Sequence, residues 1–379
     1  MRSLLLVLQL LAVIAPAAAA RQDTEFGRLV ARLSENGGFF DSDNLVSNET
    51  SYLHVIPALK TLKVQGGAYL GVGPEQNFSY LAEIKPDIAI LIDIRRDNML
   101  LHLLFRAMFT AARNRLDYLC LLYGRPAPRD LDRWNNRPLD QLLAYVDRTP
   151  GDSALHDLNH TGLMGQVEQY GVPLTPLDRQ TLRRFHNEFF GAGLELRYTS
   201  LGRGARPGYP SERQLYLSTD LGGHQVSYLS TEKRFRVVRD LERGAKVIPV
   251  VGDLSGPAAM RAIAAYLKEI RRDVTAMYVS NVEMYLFRQG NFGRFADNVR
   301  SLPTSAGGVI MRSYFGRGGM MMSGGLGEEW PQPLPGHLSA QILQPLSAFL
   351  AATARGDSVT YRDILVAGAV DLQTPRRPR

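Results

Sequence analysis

The stretch GAYLGVGPEQN, residues 67–77, joins a short apolar segment to a glycine-rich turn. It predicts a strand over Gly67–Val72, a turn at Gly71-Val72-Gly73, and a helix from Glu75 to Ile84. The next apolar run, Ile88–Ile92, has no polar residue and is typical of a strand that is buried on both faces. A strand, a helix and a second strand in so short a space indicate a parallel β-α-β unit.

The same alternation returns in the second half of the chain. Further strands are expected at Lys246–Val251, Thr275–Val279 and Gly308–Tyr314, and helices at 98–123, 177–190, 231–243, 256–271 and 291–302. This order predicts an α/β protein with a Rossmann-like, mostly parallel sheet that is flanked by helices. Residues 125–230 interrupt the alternation, so we expect them to form a helical or irregular insertion.

The first twenty residues have a separate character. Arg2 precedes an apolar run, and the small residues Ala17–Ala20 follow it, which is the layout of a secretory signal peptide. We therefore expect residues 1–20 to be removed, leaving residues 21–379 as a single domain that is periplasmic or secreted. An uncleaved anchor or a misassigned start codon is the alternative. No later segment is long and apolar enough to span a membrane.

Charge and composition narrow the classes of partner. The net charge of +7 is spread along the chain without a basic cluster, so no nucleic-acid surface is evident and a small-molecule ligand is expected. The oligomeric state stays open. Cys120 lies in an apolar stretch typical of a core. His156 and His160 are four residues apart, but Gly162 and the Pro150-Gly151 pair argue against a helix there, so no metal site is expected.

Polar and glycine residues gather where the predicted strands end, which is where ligands bind in a parallel sheet. Gly71 and Gly73 allow a tight turn and a close approach of the backbone, and Glu75 and Asn77 begin the helix that follows. Asp93 ends the second strand, 22 residues after Gly71, the position of a carboxylate that binds ribose hydroxyls.

Two later strands end in the same manner. Asp253 follows Val250-Val251-Gly252, and Ser280, Asn281 and Glu283 follow the strand at Thr275–Val279. Each of these features also has a purely structural explanation, as a turn or a helix cap. Their common position at strand ends favours a ligand site, with Gly71, Gly73, Glu75, Asn77, Asp93 and Asp253 as cofactor-binding candidates and Ser280, Asn281 and Glu283 as substrate-binding candidates.

In these residues the sequence resembles class I S-adenosylmethionine-dependent methyltransferases over about residues 64–100 and 232–315. The resemblance implies S-adenosylmethionine as cofactor, with Gly71 and Gly73 in the glycine-rich motif, Asp93 at the ribose and Asp253 at the adenine. The strings YLGVGPEQNFSYL, DIRRDN, VVGDLSGP and YVSNVEMYL resemble a family of functionally uncharacterised bacterial proteins with a Rossmann-like fold, a resemblance that implies no established substrate.

The sequence also departs from the methyltransferase pattern. Pro74 and Gln76 replace small residues that are usual in the first motif, and Ser280-Asn281 does not begin an Asn-Pro-Pro-Tyr motif. An exported protein would also not be expected to meet a cytosolic cofactor. The methyl acceptor and the catalytic residues are therefore unassigned. The competing hypothesis is an exported, non-catalytic binding protein with a repurposed nucleoside pocket.

Overall fold

The computed structural model describes residues 14–315, 331–354 and 356–372. Its strands are β1 (Ala68–Gly71), β2 (Ile88–Asp93), β3 (Val247–Val251), β4 (Val274–Tyr278), β5 (Thr304–Phe315) and β6 (Ser339–Pro345). Its α-helices are α1 (Ile14–Leu33), α2 (Ile56–Thr61), α3 (Gln76–Ile84), α4 (Arg96–Ala111), α5 (Arg115–Tyr123), α6 (Leu139–Arg148), α7 (Ser153–Gln169), α8 (Pro176–Ala192), α9 (Glu212–Leu217), α10 (Glu232–Arg243), α11 (Ala259–Glu269), α12 (Val282–Arg288), α13 (Phe292–Ser301), α14 (Leu346–Thr353) and α15 (Tyr361–Val366).

The six strands form one sheet in the order β3-β2-β1-β4-β5-β6. All neighbouring pairs are parallel except β5 and β6, which are antiparallel. The predicted Rossmann-like α/β class is confirmed. The chain runs outward from β1 to β3 and then returns to β4, on the other side of β1. A crevice therefore opens between β1 and β4 at the carboxyl ends of the strands, the usual place for a ligand in this class.

Burial explains why the strands could be recognised. Every residue of β1 and β3 is buried, because helices cover both faces of the sheet. The predicted strand limits agree with the structure to within one residue for β1 to β4, whereas β5 begins four residues before the expected Gly308. Strand β6 and the helices α12, α14 and α15 were not predicted.

The single long helix expected over residues 98–123 is wrong, since the structure has α4 and α5 with a break between them. Ala112 is extended (ψ 134°), and so is Asn114 (φ −150°). The Asn114 side chain accepts a hydrogen bond from the Asp117 amide at 3.0 Å and thereby caps α5. Because the helical spacing of apolar residues continues across the break, the sequence pattern did not reveal the break. Gly124 ends α5 in the left-handed conformation.

The insertion is far more regular than predicted. Residues 125–230 contain the helices α6 to α9, and α7 and α8 pack against α4. Helix α7 passes through Gly162, so the expectation that no helix holds His156 and His160 together is also wrong. Gly162 has open space around its Cβ position, and tertiary packing of α7 outweighs its low helix propensity.

The predicted signal peptide falls mostly outside the described residues, which begin at Ile14. Helix α1 runs continuously through the expected boundary at Ala20 and Arg21. Among the α1 residues whose side chains are described, from Thr24 onward, Phe26, Val30 and Leu33 are buried. Among the helices of the described residues, none combines the length and the apolar character needed to cross a membrane.

Candidate functional site

A cavity of about 170 Å³ opens at the carboxyl ends of β1 to β4, where the sheet reverses direction. Its walls include Gly73 after β1, Asp93 after β2, Asp253 after β3, and Ser280 and Asn281 after β4. The structure thus brings five of the nine predicted site residues into one cavity. The segment between α1 and α2 completes the lining, through residues that include Phe39, Phe40, Asn44, Ser47, Asn48 and Glu49.

The glycine-rich turn presents its backbone to this cavity. Gly73 has φ of +81°, a conformation that side-chain-bearing residues rarely adopt. A Cβ atom at Gly73 would lie 3.2 Å from Gln76 Nε2 and 3.5 Å from Asn44 Nδ2, both on residues that line the cavity. Glycine at this position therefore keeps the cavity open next to the start of α3.

Gly71 and Asn77 shape the turn but do not line the cavity, so the ligand contacts predicted for them are not supported. The fully buried Asn77 amide donates to the carbonyls of Val72 (2.9 Å), Gly73 (3.2 Å) and Pro74 (2.8 Å), and Asn77 Oδ1 accepts from the Tyr69 hydroxyl at 2.7 Å. A Cβ at Gly71 would overlap that Oδ1. Gly71 leaves room for the Asn77 brace, and Asn77 fixes the shape of the turn.

Glu75 does not line the cavity either, because its side chain is buried on the other side of the turn beside Glu212. Desolvation, and then the nearby Glu212 carboxyl, raise the pKa of Glu75 well above its ordinary value. Burial likewise raises the pKa of Glu212 to about 7. Glu75 is 3% exposed, and it belongs to a compartment lined by Tyr52, Tyr216 and Tyr228.

Asp93 ends β2 and lies on the cavity wall. Asp93 Oδ1 accepts a hydrogen bond from the Arg95 amide at 2.9 Å and lies 3.3 Å from the Arg95 Nε. The same guanidinium donates to the carbonyls of Ser42 (2.7 Å) and Asp43 (2.6 Å), which ties the segment between α1 and α2 to the end of β2. The other Asp93 oxygen makes no hydrogen bond within the described residues, so it is available to a ligand.

Asp253 lies next to Asp93 because β2 and β3 pair in register, with Asp93 opposite Val251. Asp253 Oδ1 accepts from the Ser255 amide (2.8 Å) and hydroxyl (2.9 Å). Glu35 supports this turn from a distance in sequence: it accepts from the amides of Asp253 (2.9 Å), Ala258 (2.8 Å) and Ala259 (3.0 Å). Glu35 was not among the predicted site residues, since nothing in the local sequence pattern links it to residues 253–259.

The end of β4 carries the largest polar network at the cavity. Ser280 has φ of +52°, and its hydroxyl donates to Glu49 Oε1. Glu49 Oε2 accepts from the hydroxyls of Tyr278 (2.6 Å) and Ser313 and from the Gln341 amide (3.1 Å). Glu49 was not among the predicted site residues, and residues from β4, β5 and β6 converge on it.

Glu283 does not contact the cavity, and the substrate role predicted for it is not supported. Its carboxylate forms a bidentate ion pair with Arg312 at 2.6 and 3.1 Å, and both side chains are 1% exposed. Arg312 is on β5 and was not singled out in the sequence. The acidic residue three positions after Ser280 therefore joins α12 to the sheet.

The charge and shape of the cavity restrict its ligand. Asp93, Asp253 and Glu49 contribute carboxylates, whereas none of the cavity-lining residues, all of which lie in the described part of the chain, is Lys, Arg or His. Aromatic rings line the same cavity, with Phe40 packed edge-on against Tyr285 at 5.5 Å. Such a site disfavours phosphate groups and favours a neutral or cationic organic ligand.

The histidines of the insertion form a separate buried cluster. His160 Nδ1 lies 3.2 Å from His186 Nδ1, and the His156 ring lies 4.2 Å from that of His186. Burial lowers the pKa of His160 to about 4 and that of His186 to about 3. Within residues 14–315, 331–354 and 356–372, no group of three or more His, Cys, Asp or Glu side chains is arranged to hold a metal ion.

Residues 44–125 and 197–361 match a family described as a domain of unknown function (DUF7790). The match covers more than half of the 379 residues, and the chain belongs to this family. The unmatched stretch between the two segments, 126–196, lies within the insertion, whereas Gly73, Asp93, Asp253 and Ser280 all lie in matched segments. A comparison with curated proteins gives no match.

Proposed function

We propose that the cavity binds S-adenosylmethionine or a closely related adenosyl ligand, and that the protein is a methyltransferase-like protein of the α/β class. One observation carries this proposal: Gly73, Asp93 and Asp253 follow three adjacent strands and line one cavity at the reversal point of the sheet. These are the positions at which the sequence resembles the glycine motif, the ribose carboxylate and the adenine carboxylate of class I methyltransferases.

The adenosyl part of such a ligand fits the residues present. Asp93 has one carboxylate oxygen held by the Arg95 amide and one without a hydrogen bond in the described chain, which suits it to accept from ribose hydroxyls. Asp253 is arranged likewise, with Oδ1 held by Ser255, and can accept from the exocyclic amine of adenine. Gly73 lets the ligand approach the backbone at the start of α3.

The described lining of the cavity contains no Lys, Arg or His, and this favours S-adenosylmethionine over phosphate-bearing ligands. Nucleotides and dinucleotides carry phosphates, which the carboxylates of Glu49, Asp93 and Asp253 would repel. Of the three, Asp93 is paired with Arg95. S-adenosylmethionine carries no phosphate and has a cationic sulfonium centre, which when bound supplies an activated methyl group. The chain would contribute binding and orientation, and the methyl acceptor is unassigned.

The alternative is a non-catalytic binding protein that has kept the cavity for another ligand. The same acidic and aromatic lining supports this second candidate, because it suits any small organic cation. We also propose that residues 1–20 direct export, so that the protein acts in the periplasm or outside the cell. N-terminal sequencing of the exported fraction should begin near Arg21, and an intact Met1 in a cytosolic pool would contradict export.

Calorimetric titration of the purified protein tests the ligand class. We expect S-adenosylhomocysteine and adenosine to bind, and ATP and NAD to bind at least 10-fold more weakly, a difference of ~1.4 kcal/mol. Equal or tighter binding of ATP would contradict the electrostatic reasoning. No binding of any adenosyl compound would remove the methyltransferase-like candidate in favour of the non-catalytic one.

A further inference from the structure

Glu49 is a buried carboxylate at that end of the cavity where Ser280 and Asn281 follow β4. It is 1% exposed, yet it lines the cavity together with Ser280 and Asn281. The four donors that reach it come from separate parts of the sheet: Tyr278 on β4, Ser280 after β4, Ser313 on β5 and Gln341 on β6. So many directed donors form a cradle for a negative charge.

The direction of the surrounding hydrogen bonds supports the ionised form. Gln76 donates to the Tyr278 hydroxyl at 3.3 Å, which leaves that hydroxyl free to donate to Glu49. The Gln341 amide donates both to Ser313 and to Glu49. Burial raises the pKa of Glu49 above its ordinary value, and the bonds from Ser280, Ser313, Tyr278 and Gln341 counteract that rise.

Glu49 has no cationic partner in the described part of the chain, unlike two other carboxylates nearby. Asp93 lies 3.3 Å from Arg95 Nε, and Glu283 forms an ion pair with Arg312 at 2.6 Å. An uncompensated buried carboxylate is costly, because desolvation is not repaid by a neighbouring charge. A cationic ligand in the cavity that Glu49 lines can supply the compensating positive charge.

A second, independent feature points to a ligand at this end of the cavity. Gln76 is 5% exposed and lines the cavity, and its Oε1 has no hydrogen-bond partner among the residues that the structure describes. Gln76 Oε1 is an acceptor, which suits a ligand with donor or positively polarised C–H groups. The Tyr285 and Phe40 rings on the same cavity can contact a cation through their faces.

We propose that Glu49 is the residue that selects a cationic centre in the ligand of this cavity, an onium group such as sulfonium or quaternary ammonium. The proposal extends the proposed function, since it assigns the sulfonium of an adenosyl ligand to the Glu49 end and the nucleoside to the Asp93 and Asp253 end. It also stands without the adenosyl part, because the evidence for the cation comes from Glu49 and its surroundings.

The test compares charged and neutral ligands on the wild-type chain and on Glu49→Gln. The first pair is S-adenosylmethionine and S-adenosylhomocysteine, which differ by the methyl group and the charge. The second pair is choline and 3,3-dimethylbutan-1-ol, which have nearly the same shape but differ in charge. We expect the wild type to prefer each charged member by about 10-fold and Glu49→Gln to lose most of that preference.

Two further variants keep the test decisive. Asp253→Asn should weaken both adenosyl compounds alike, because it acts at the nucleoside end. Glu49→Asp keeps the negative charge and should keep a preference for the charged ligand of each pair. If Glu49→Gln does not fold, the comparison of choline with its neutral isostere on the wild type still tests the cation site.

Each outcome distinguishes the two proposals. Preference for choline over the neutral isostere, lost in Glu49→Gln, supports the cation site even if no adenosyl compound binds, in which case only the proposed adenosyl function fails. Equal affinities within both pairs on the wild type would overturn the Glu49 proposal, and so would a preference that Glu49→Gln retains in full. Tight adenosyl binding with either of these results would leave the proposed function standing.

Discussion

Glu283→Gln separates a structural ion pair from a substrate contact. Arg312 Nε lies 2.6 Å and Nη2 3.1 Å from the two Glu283 oxygens, and both side chains are 1% exposed. The substitution removes the negative charge that compensates Arg312 and leaves its guanidinium buried among neutral acceptors, such as Gln344 Oε1 at 2.8 Å. Breaking a buried pair on one side costs ~3–5 kcal/mol, so we expect a loss of that order in the free energy of unfolding.

Urea denaturation followed by circular dichroism measures this loss. The matched control is Asp297→Asn, which breaks the exposed pair between Asp297 and Arg300 and should cost at most ~1 kcal/mol. Affinity for S-adenosylhomocysteine should be unchanged in both variants at temperatures where they are folded. A Glu283→Gln protein of nearly wild-type stability that has lost ligand affinity would refute the structural role and restore the substrate role predicted from sequence.

Two further variants test the turn and the histidine cluster. Gly73→Val places a side chain at φ +81° and against Gln76, so it should abolish adenosyl-ligand binding while circular dichroism still shows an α/β protein; equal binding would mean that the turn serves only the fold. Burial holds the pKa of His186 at about 3, below the ordinary 6.5, so the stability from its neutral form is complete above pH 6.5 and is lost as pH falls toward 3. His186→Phe should therefore lose less stability than the wild type between pH 7 and pH 5 in urea titrations, and identical slopes in the two proteins would contradict this reasoning.

The sequence predicted those parts of the fold whose signal is local. Ile88–Ile92 is uninterrupted by polar residues because β2 is buried on both faces, and that run alone marks a parallel strand. Strand β6 pairs antiparallel with β5 at the sheet edge and has polar residues, such as Gln341 and Gln344, at buried positions. Their burial depends on partners elsewhere in the chain, Glu49 and Arg312, so periodicity could not reveal this strand.

The site was predicted in position but only partly in composition. Gly73, Asp93, Asp253, Ser280 and Asn281 line one cavity, as predicted, because strand ends converge in a parallel sheet. Asn77 and Glu283 are close in sequence to these residues, but their side chains turn toward backbone carbonyls and toward Arg312. Glu49 could not be assigned from its neighbours in sequence, because its donors lie 229 to 292 residues away.

Titration of Asp93 variants with S-adenosylhomocysteine tests most directly whether Asp93 and Asp253 hold an adenosyl ligand, as we propose. Charge-assisted bonds to ribose hydroxyls predict a loss of affinity of about 10- to 100-fold for Asp93→Ala. Asp93→Asn should lose less, because its amide oxygen can still accept from the Arg95 amide and its NH₂ can bond a hydroxyl. Melting temperature is measured on the same samples. A lower melting temperature with unaltered affinity in both variants would contradict the account.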